Sequence, residues 1–286
     1  MPAVSVVIPT YNRAHCIGQA VSSVLSQSFS DFELLISDDG SIDGTERLVT
    51  NIDDSRVKFL AFETNSGAAA ARNRAVAASK SPLLAFLDSD DIWLPNKLEA
   101  HLFWMQDRTD LQASFTDYQF LRENNGKVSV RKPSADQSDW AWDLLLYCRA
   151  AAGSTLLAQR TAFEVFGLFD ENLKRFEDWD WMFRLAFENK LGKAPIVGSQ
   201  ISRRGHFPWR ELEAPYDQII QRWNPTAHGV YGNKAYKRLK AGRSLQKAVS
   251  ALSEGHKLET FFNLVSGFVQ SPLAITKFCY SRFNSL

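Results

Sequence analysis

This sequence predicts an α/β fold, a mostly parallel sheet flanked by helices, on the strength of three observations. Strand-like and helix-like segments alternate through the first 120 residues in the order β-α-β-α-β-α-β, which implies a parallel sheet with right-handed crossovers. The fourth strand segment, Leu83-Leu84-Ala85-Phe86-Leu87, is an unbroken apolar run, the pattern of a strand buried on both faces. The run ends abruptly in Asp88-Ser89-Asp90-Asp91, at the strand end where open α/β sheets bind their ligands.

The elements follow in order. Val4 to Ile8 is a β-branched strand. Ile17, Ala20, Val21, Val24 and Leu25 fall at the spacing of a helix core stripe. Glu33 to Ser37 is a second strand, ending in Asp38-Asp39-Gly40-Ser41, where Gly40 serves the turn. A short helix from Thr45 to Ile52 leads to a third strand, Val57 to Phe62, and the alanine-rich stretch Ala68 to Ala78 predicts a helix. Gln112 to Phe120 is strand-like, within a middle region made aromatic by Trp140, Trp142, Trp179 and Trp181, most of them expected in the core or a pocket wall. From Pro215 the pattern is helical, with an apolar stripe of Phe261, Phe262, Val265, Phe268 and Val269 that Pro272 interrupts.

Composition narrows the class. Of 286 residues, 45% are hydrophobic and 23% charged, as in an ordinary folded protein, and the net charge of +1 argues against a dedicated nucleic-acid binder. Cys16, Cys148 and Cys279 show neither metal spacing nor a disulfide framework, so a reducing cytosol is expected. The start lacks the features of a secretory leader, and no uncharged stretch is apolar enough to span a membrane. Charge is uneven: residues 231–286 carry nine Lys or Arg against two Glu, a net +7.

Asp88 and Asp90 are spaced so that both can face one hard cation. Such oxygen ligands suit Mg²⁺ or Mn²⁺, which usually share their coordination with substrate phosphates. The glycine fingerprint of dinucleotide sites and the P-loop are both missing. Asp91 is expected to cap a helix beginning near Pro95.

Five segments in this order, Pro9-Thr10-Tyr11-Asn12-Arg13, Ser37 to Ser41, Asn65-Ser66-Gly67 leading to Arg72-Asn73, Asp88 to Asp91 and Phe176-Glu177-Asp178-Trp179-Asp180, resemble the family-two inverting glycosyltransferases of the GT-A fold. The resemblance covers about residues 3 to 210. It implies a GT-A domain over 1–214, with a nucleotide-sugar half (1–120) and an acceptor half (121–214), followed by a helical extension over 215–286. It also implies a UDP- or dTDP-sugar donor, a glycan or lipid-linked glycan acceptor, and a divalent metal.

Site residues follow from the same resemblance. Pro9, Thr10, Tyr11 and Arg13 would line the nucleotide, with the Tyr11 ring stacking on the base. Asp39 would accept from a pyrimidine N3–H, which selects uracil or thymine over cytosine, while Asp38 could instead fix the turn, and the two roles stay open between them. Arg72 would reach the base or the diphosphate. Asp90 would hold the metal, Asp88 the ribose or the metal, and Ser89 would lie beside them. His206 matches a position that can join the metal or phosphate site. Asp178 would be the general base, Glu177 would bind or orient the acceptor, and Asp180 is the local rival. Basic side chains beside an aromatic stripe in 231–286 would suit contact with an anionic membrane, placing the protein in the cytoplasm at the inner face of the cell membrane; packing on the catalytic domain or a homodimer contact are the alternatives. Two other functional classes are a sugar-nucleotide nucleotidyltransferase and a non-catalytic nucleotide- or sugar-binding scaffold.

Overall fold

The computed structural model describes residues 1–121, 128–130, 139–148, 150–202 and 208–283. The chain begins with β1 (Val4–Thr10), α1 (Ile17–Leu25), β2 (Phe32–Asp38), α2 (Thr45–Thr50), β3 (Val57–Ala61), α3 (Ala68–Ala78) and β4 (Leu83–Phe86). It continues through β5 (Ile92–Trp93), α4 (Lys97–Met105), β6 (Ala113–Leu121), β7 (Val128–Val130), α5 (Trp140–Leu144), α6 (Ala152–Thr155), β8 (Leu157–Gln159), α7 (Arg160–Phe166), α8 (Glu177–Phe187) and β9 (Leu191–Ile201). A 3₁₀ turn, Trp209–Leu212, opens the helical end: α9 (Glu213–Tyr231), α10 (Asn233–Ser253), α11 (Lys257–Gln270) and α12 (Pro272–Phe283).

The strands join one sheet in the order β3-β2-β1-β4-β8-β6-β9-β5, with β7 beside β6. Its first four strands are parallel, with Thr10 opposite Asp38 and Val7 opposite Phe86, so their carboxyl ends form one rim. Past β4 the sheet becomes mixed: β8 runs antiparallel to both β4 and β6, while β9 runs parallel to β6. β1 and β2 are buried along their whole length because helices cover both faces of a parallel sheet. The inward stripe of α1 packs with Val4, Val6, Ile8, Leu34, Ile36 and Trp93 in the main core. Pro272 interrupts the helical run as expected: α11 ends at Gln270, and Pro272 opens α12, where a missing N–H costs nothing.

Two compact units result. One comprises residues 1–136 and 150–202, the other residues 137–149 and 203–286. In the second, Leu146, Ala241, Leu245, Ala274 and Ile275 form a separate small core. Among the described residues, no helix is long and apolar enough to cross a membrane.

Lys97 lies in the first unit, buried, with its Nζ 4.0 Å from the centre of the Trp93 ring and without a hydrogen-bond partner. Burial pulls its pKa from 10.5 down to about 7. Between these values the unfolded chain holds the proton and the folded chain does not, so stability should rise with pH from about 7 towards 10. Lys97→Met should lose that slope in urea titrations across the range. Parallel slopes for variant and parent would show that Lys97 stays charged in the fold.

Candidate active site

Three loops leave the rim of parallel strands and are tied to one another. Asp39 N donates to Thr10 O at 2.9 Å, and Asn12 N donates to Ser41 Oγ at 2.7 Å. Asp38 accepts from Ser41 N at 2.8 Å and from Ser41 Oγ, so it closes its own turn. Gly40 sits at φ 85°, and a Cβ there would come within 3.2 Å of Glu63 O. Asp39 is buried and reaches the next loop: Oδ2 accepts from Ser66 N and Gly67 N, and Oδ1 pairs with Arg74 at 2.9 Å. Pro9 and Thr10 are buried at the end of β1, whereas Tyr11 is 44% exposed, with its ring available to a ligand.

The second half of the site is a knot of carboxylates around one guanidinium. Arg72, on α3, is buried, with Nη2 2.7 Å from Asp88 Oδ1 and Nη1 2.6 Å from Glu177 Oε1. Burial disfavours its charge, but Asp88, Glu177 and Asp178 outweigh that and hold its pKa above the ordinary value. The next residue, Asn73, bonds to both N and O of Phe169 and to Glu171, pinning the segment that leads to α8. α8 is anchored by aromatic packing: Trp181 stacks on Phe163 at 4.5 Å, and Trp179 stacks on Phe183. Phe176, just before Glu177, has φ 65°, an unusual left-handed conformation for a bulky residue.

Asp178 keeps some accessible surface, yet its carboxylate is enclosed by protein. Burial first, then the charge of Glu177, pushes its pKa up to about 6, with Arg72 pulling the other way. Its Oδ1 accepts from Trp179 N at 2.7 Å. Asp180, the rival, is fully buried and paired with Arg184 at 2.5 Å, so it offers no face to an acceptor.

Asp88 and Asp90 lie just past β4. Asp88 stays partly open, 39% exposed along its side chain, although one oxygen faces Arg72. Burial and the charge of Asp88 raise the pKa of Asp90, with Arg13 opposing. A divalent cation would reverse that penalty, so the donor set fits Mg²⁺ or Mn²⁺ shared with substrate phosphates better than an all-protein cage. Among the described residues, no group of three His, Cys, Asp or Glu is placed to hold a metal ion. Ser89 is buried beside them. His206 lies outside the described residues.

Asp91 corrects an expectation. It does not cap the next helix, which starts at Lys97 with Asn96 before it. It is buried instead, accepting from Ser154 Oγ and from Ser202 N at 2.7 Å, and burial raises its pKa well above the usual carboxylate range. Ser154 also accepts from Asp88 N at 3.0 Å, so one hydroxyl braces the whole acidic turn. A Cβ on neighbouring Gly153 would collide with the Asp88 carboxylate. Neither residue carries a signal in the sequence, because both act through contacts some 65 positions away in the chain. Arg74 was equally silent, although it shares a helix with Arg72.

The structure therefore draws Arg72, Asp88, Glu177 and Asp178 into one cluster, with Asp90 beside Asp88. Thr10 and Asp39 belong to the neighbouring loops on the same rim. A sequence model described as "Glycosyl transferase family 2" matches residues 5–153. The Escherichia coli enzyme WfgD, a UDP-Glc:alpha-D-GlcNAc-diphosphoundecaprenol beta-1,3-glucosyltransferase, is 41% identical over 122 residues, which are 43% of this chain and 48% of WfgD. TuaG of Bacillus subtilis, a putative teichuronic acid biosynthesis glycosyltransferase, is 42% identical over 125 residues, covering 43% and 49%. The match thus spans about half the length of these two relatives. Among solved structures, S. aureus TarS 1–349 in complex with UDP-GlcNAc superposes with a TM-score of 0.60 at 15% identity, over 94% of this chain and 92% of that one, and so shares the fold.

Proposed function

Because this chain belongs to glycosyl transferase family 2, and is therefore a glycosyltransferase, we propose that it moves one sugar from a UDP-sugar (or dTDP-sugar) to an acceptor hydroxyl with inversion at the anomeric carbon. Membership removes the nucleotidyltransferase and scaffold alternatives. By analogy with WfgD, TuaG and the putative colanic acid enzyme WcaA of E. coli, the acceptor is a growing surface polysaccharide or a lipid-linked glycan. The observation that carries the reading is the pairing of Arg72 with both Asp88 and Glu177, which joins the strand-end acids to the helix bearing Asp178.

In this proposal residues 1–120 bind the donor, 121–214 contribute acceptor contacts, and 215–286 form the extension. Tyr11 stacks on the base, with Pro9, Thr10, Arg13 and Asp39 around it. Asp88 and Asp90 would hold Mg²⁺ or Mn²⁺, which when bound neutralises charge on the departing nucleoside diphosphate. Asp178 accepts the acceptor hydroxyl's proton as that oxygen attacks from the face opposite the leaving group. A pKa of about 6 leaves it mostly ionised at neutral pH, yet basic enough to take a proton. Glu177, held by Arg72, orients the acceptor. Arg72 keeps the cluster charged and ordered.

Thermal shift with UDP, dTDP and GDP, with Mn²⁺ or with chelator, tests the donor class. A ligand at one hundred times its Kd should stabilise the fold by about 2.7 kcal/mol. The expected result is a metal-dependent shift with UDP or dTDP, whose metal-dependent part disappears in Asp90→Asn. A shift confined to GDP, or one indifferent to chelator, would overturn the donor or metal assignment.

A further inference from the structure

The second unit turns its most apolar helix face outward. On α11, Leu258, Phe261, Phe262, Val265, Phe268 and Val269 are each 45% to 72% exposed. Their spacing places them in one stripe along the helix. The opposite side is the one that packs, and apart from Leu264, which meets the small core, its residues are small or polar. Thr260 and Gly267 are buried, Ser266 Oγ accepts from Ser244 at 3.2 Å, and a Cβ on Gly267 would lie 3.0 Å from Ile275 Cδ1. The helix is thus inside out relative to an ordinary surface helix. Leu273, 87% exposed, adds to the apolar surface at the start of α12. Contiguous exposed apolar surface of this kind marks a site of interaction with a protein or a membrane.

Its composition selects an occupant. The cores of protein interfaces are enriched in Tyr, Trp, Phe, Met and Arg and carry regular hydrogen bonds. Of these the stripe has only Phe, and it offers no polar side chain to bond a partner. No charged residue lies between Glu259 and Lys277 to set the register of a second copy. Residues 231–286 carry a net +7; Arg238, Arg243 and Lys247 pair with Asp143, Asp217 and Glu213, while Lys234, Lys237 and Lys257 are exposed. An aromatic and aliphatic stripe in basic surroundings matches an anionic lipid surface. We infer that the outward face of α11 docks on an anionic bilayer, its three Phe rings entering the boundary between headgroups and acyl chains. The inference deepens the proposed function by giving a lipid-linked acceptor a surface on which to be met; the docking itself does not depend on the chemistry.

Flotation of the full chain with phosphatidylcholine vesicles, with or without phosphatidylglycerol, tests it, alongside sedimentation without lipid and turnover on a soluble acceptor. The parent should float with the anionic vesicles and sediment as a monomer. Phe261→Ser/Phe262→Ser/Val265→Ser should float about tenfold less or worse with its Tm unchanged, since these side chains are exposed. As a direct report of contact, brominated lipids should quench Phe262→Trp more than the parent. A parent that stays at the bottom, or equal quenching, overturns the inference. So does a stable dimer that the Ser variant dissociates, which would assign the face to a second copy. Flotation without turnover would leave the docking intact and count against the transferase assignments, and turnover without flotation would do the reverse.

Discussion

Asp178→Asn is expected to lower kcat by about 10²- to 10⁴-fold, the range a positioned general base contributes, while UDP binding stays unchanged. Asn is nearly isosteric and can still accept from Trp179 N, so the loss would be chemical rather than structural. The pH profile supplies a second reading. Burial and the charge of Glu177 push Asp178 up to about 6, and a base acts only when deprotonated, so the parent's kcat should fall as pH drops through about 6. Residual activity in Asp178→Asn should lack that limb. Turnover within a few-fold of the parent would transfer the base role elsewhere, and Asp180 is a poor heir because it is fully buried and paired with Arg184.

Arg72→Met should cost more stability than other single changes in the site, about 3 to 5 kcal/mol, because it removes the partner of two carboxylates and strands them among buried neighbours. Urea unfolding with unchanged m-value is the measurement. The substitution also removes the cation that pulls the pKa of Asp178 down, so the acid limb of activity should move above 6. Arg72→Lys should recover only part of either property, since an ammonium cannot present two nitrogens to Asp88 and Glu177 in the same fixed geometry. Full recovery by Lys would mean that charge alone matters. A limb that stays near 6 in Arg72→Met would mean that another group sets it.

Much of the scaffold was legible because it depends on local pattern. The unbroken apolar run of β4, the stripe of α1 and the alanines of α3 each dictate an element through burial or propensity, and the structure puts their ends within about two residues of expectation. The acids of Asp88 to Asp91 were visible because a strand end is itself a local signal. Their individual roles were not. Asp91 looks like a helix cap in one dimension and is a buried brace in three, because Ser154 and Ser202 N arrive from elsewhere in the chain. Asp38 and Asp39, inseparable as neighbours, point to different loops.

The sequence by itself determined the α/β order, the acidic strand end and the family motifs, since each rests on residues close together in the chain. Tertiary structure alone decided that Arg72 binds Asp88 and Glu177, that Asp180 is fully buried and paired with Arg184 while Asp178 keeps some accessible surface, and that α11 turns its apolar side outward. A periodic stripe states that a helix has an apolar face. Only the packing of the opposite face, here Thr260 and Gly267 in contact with the rest of the unit, decides which way that face points.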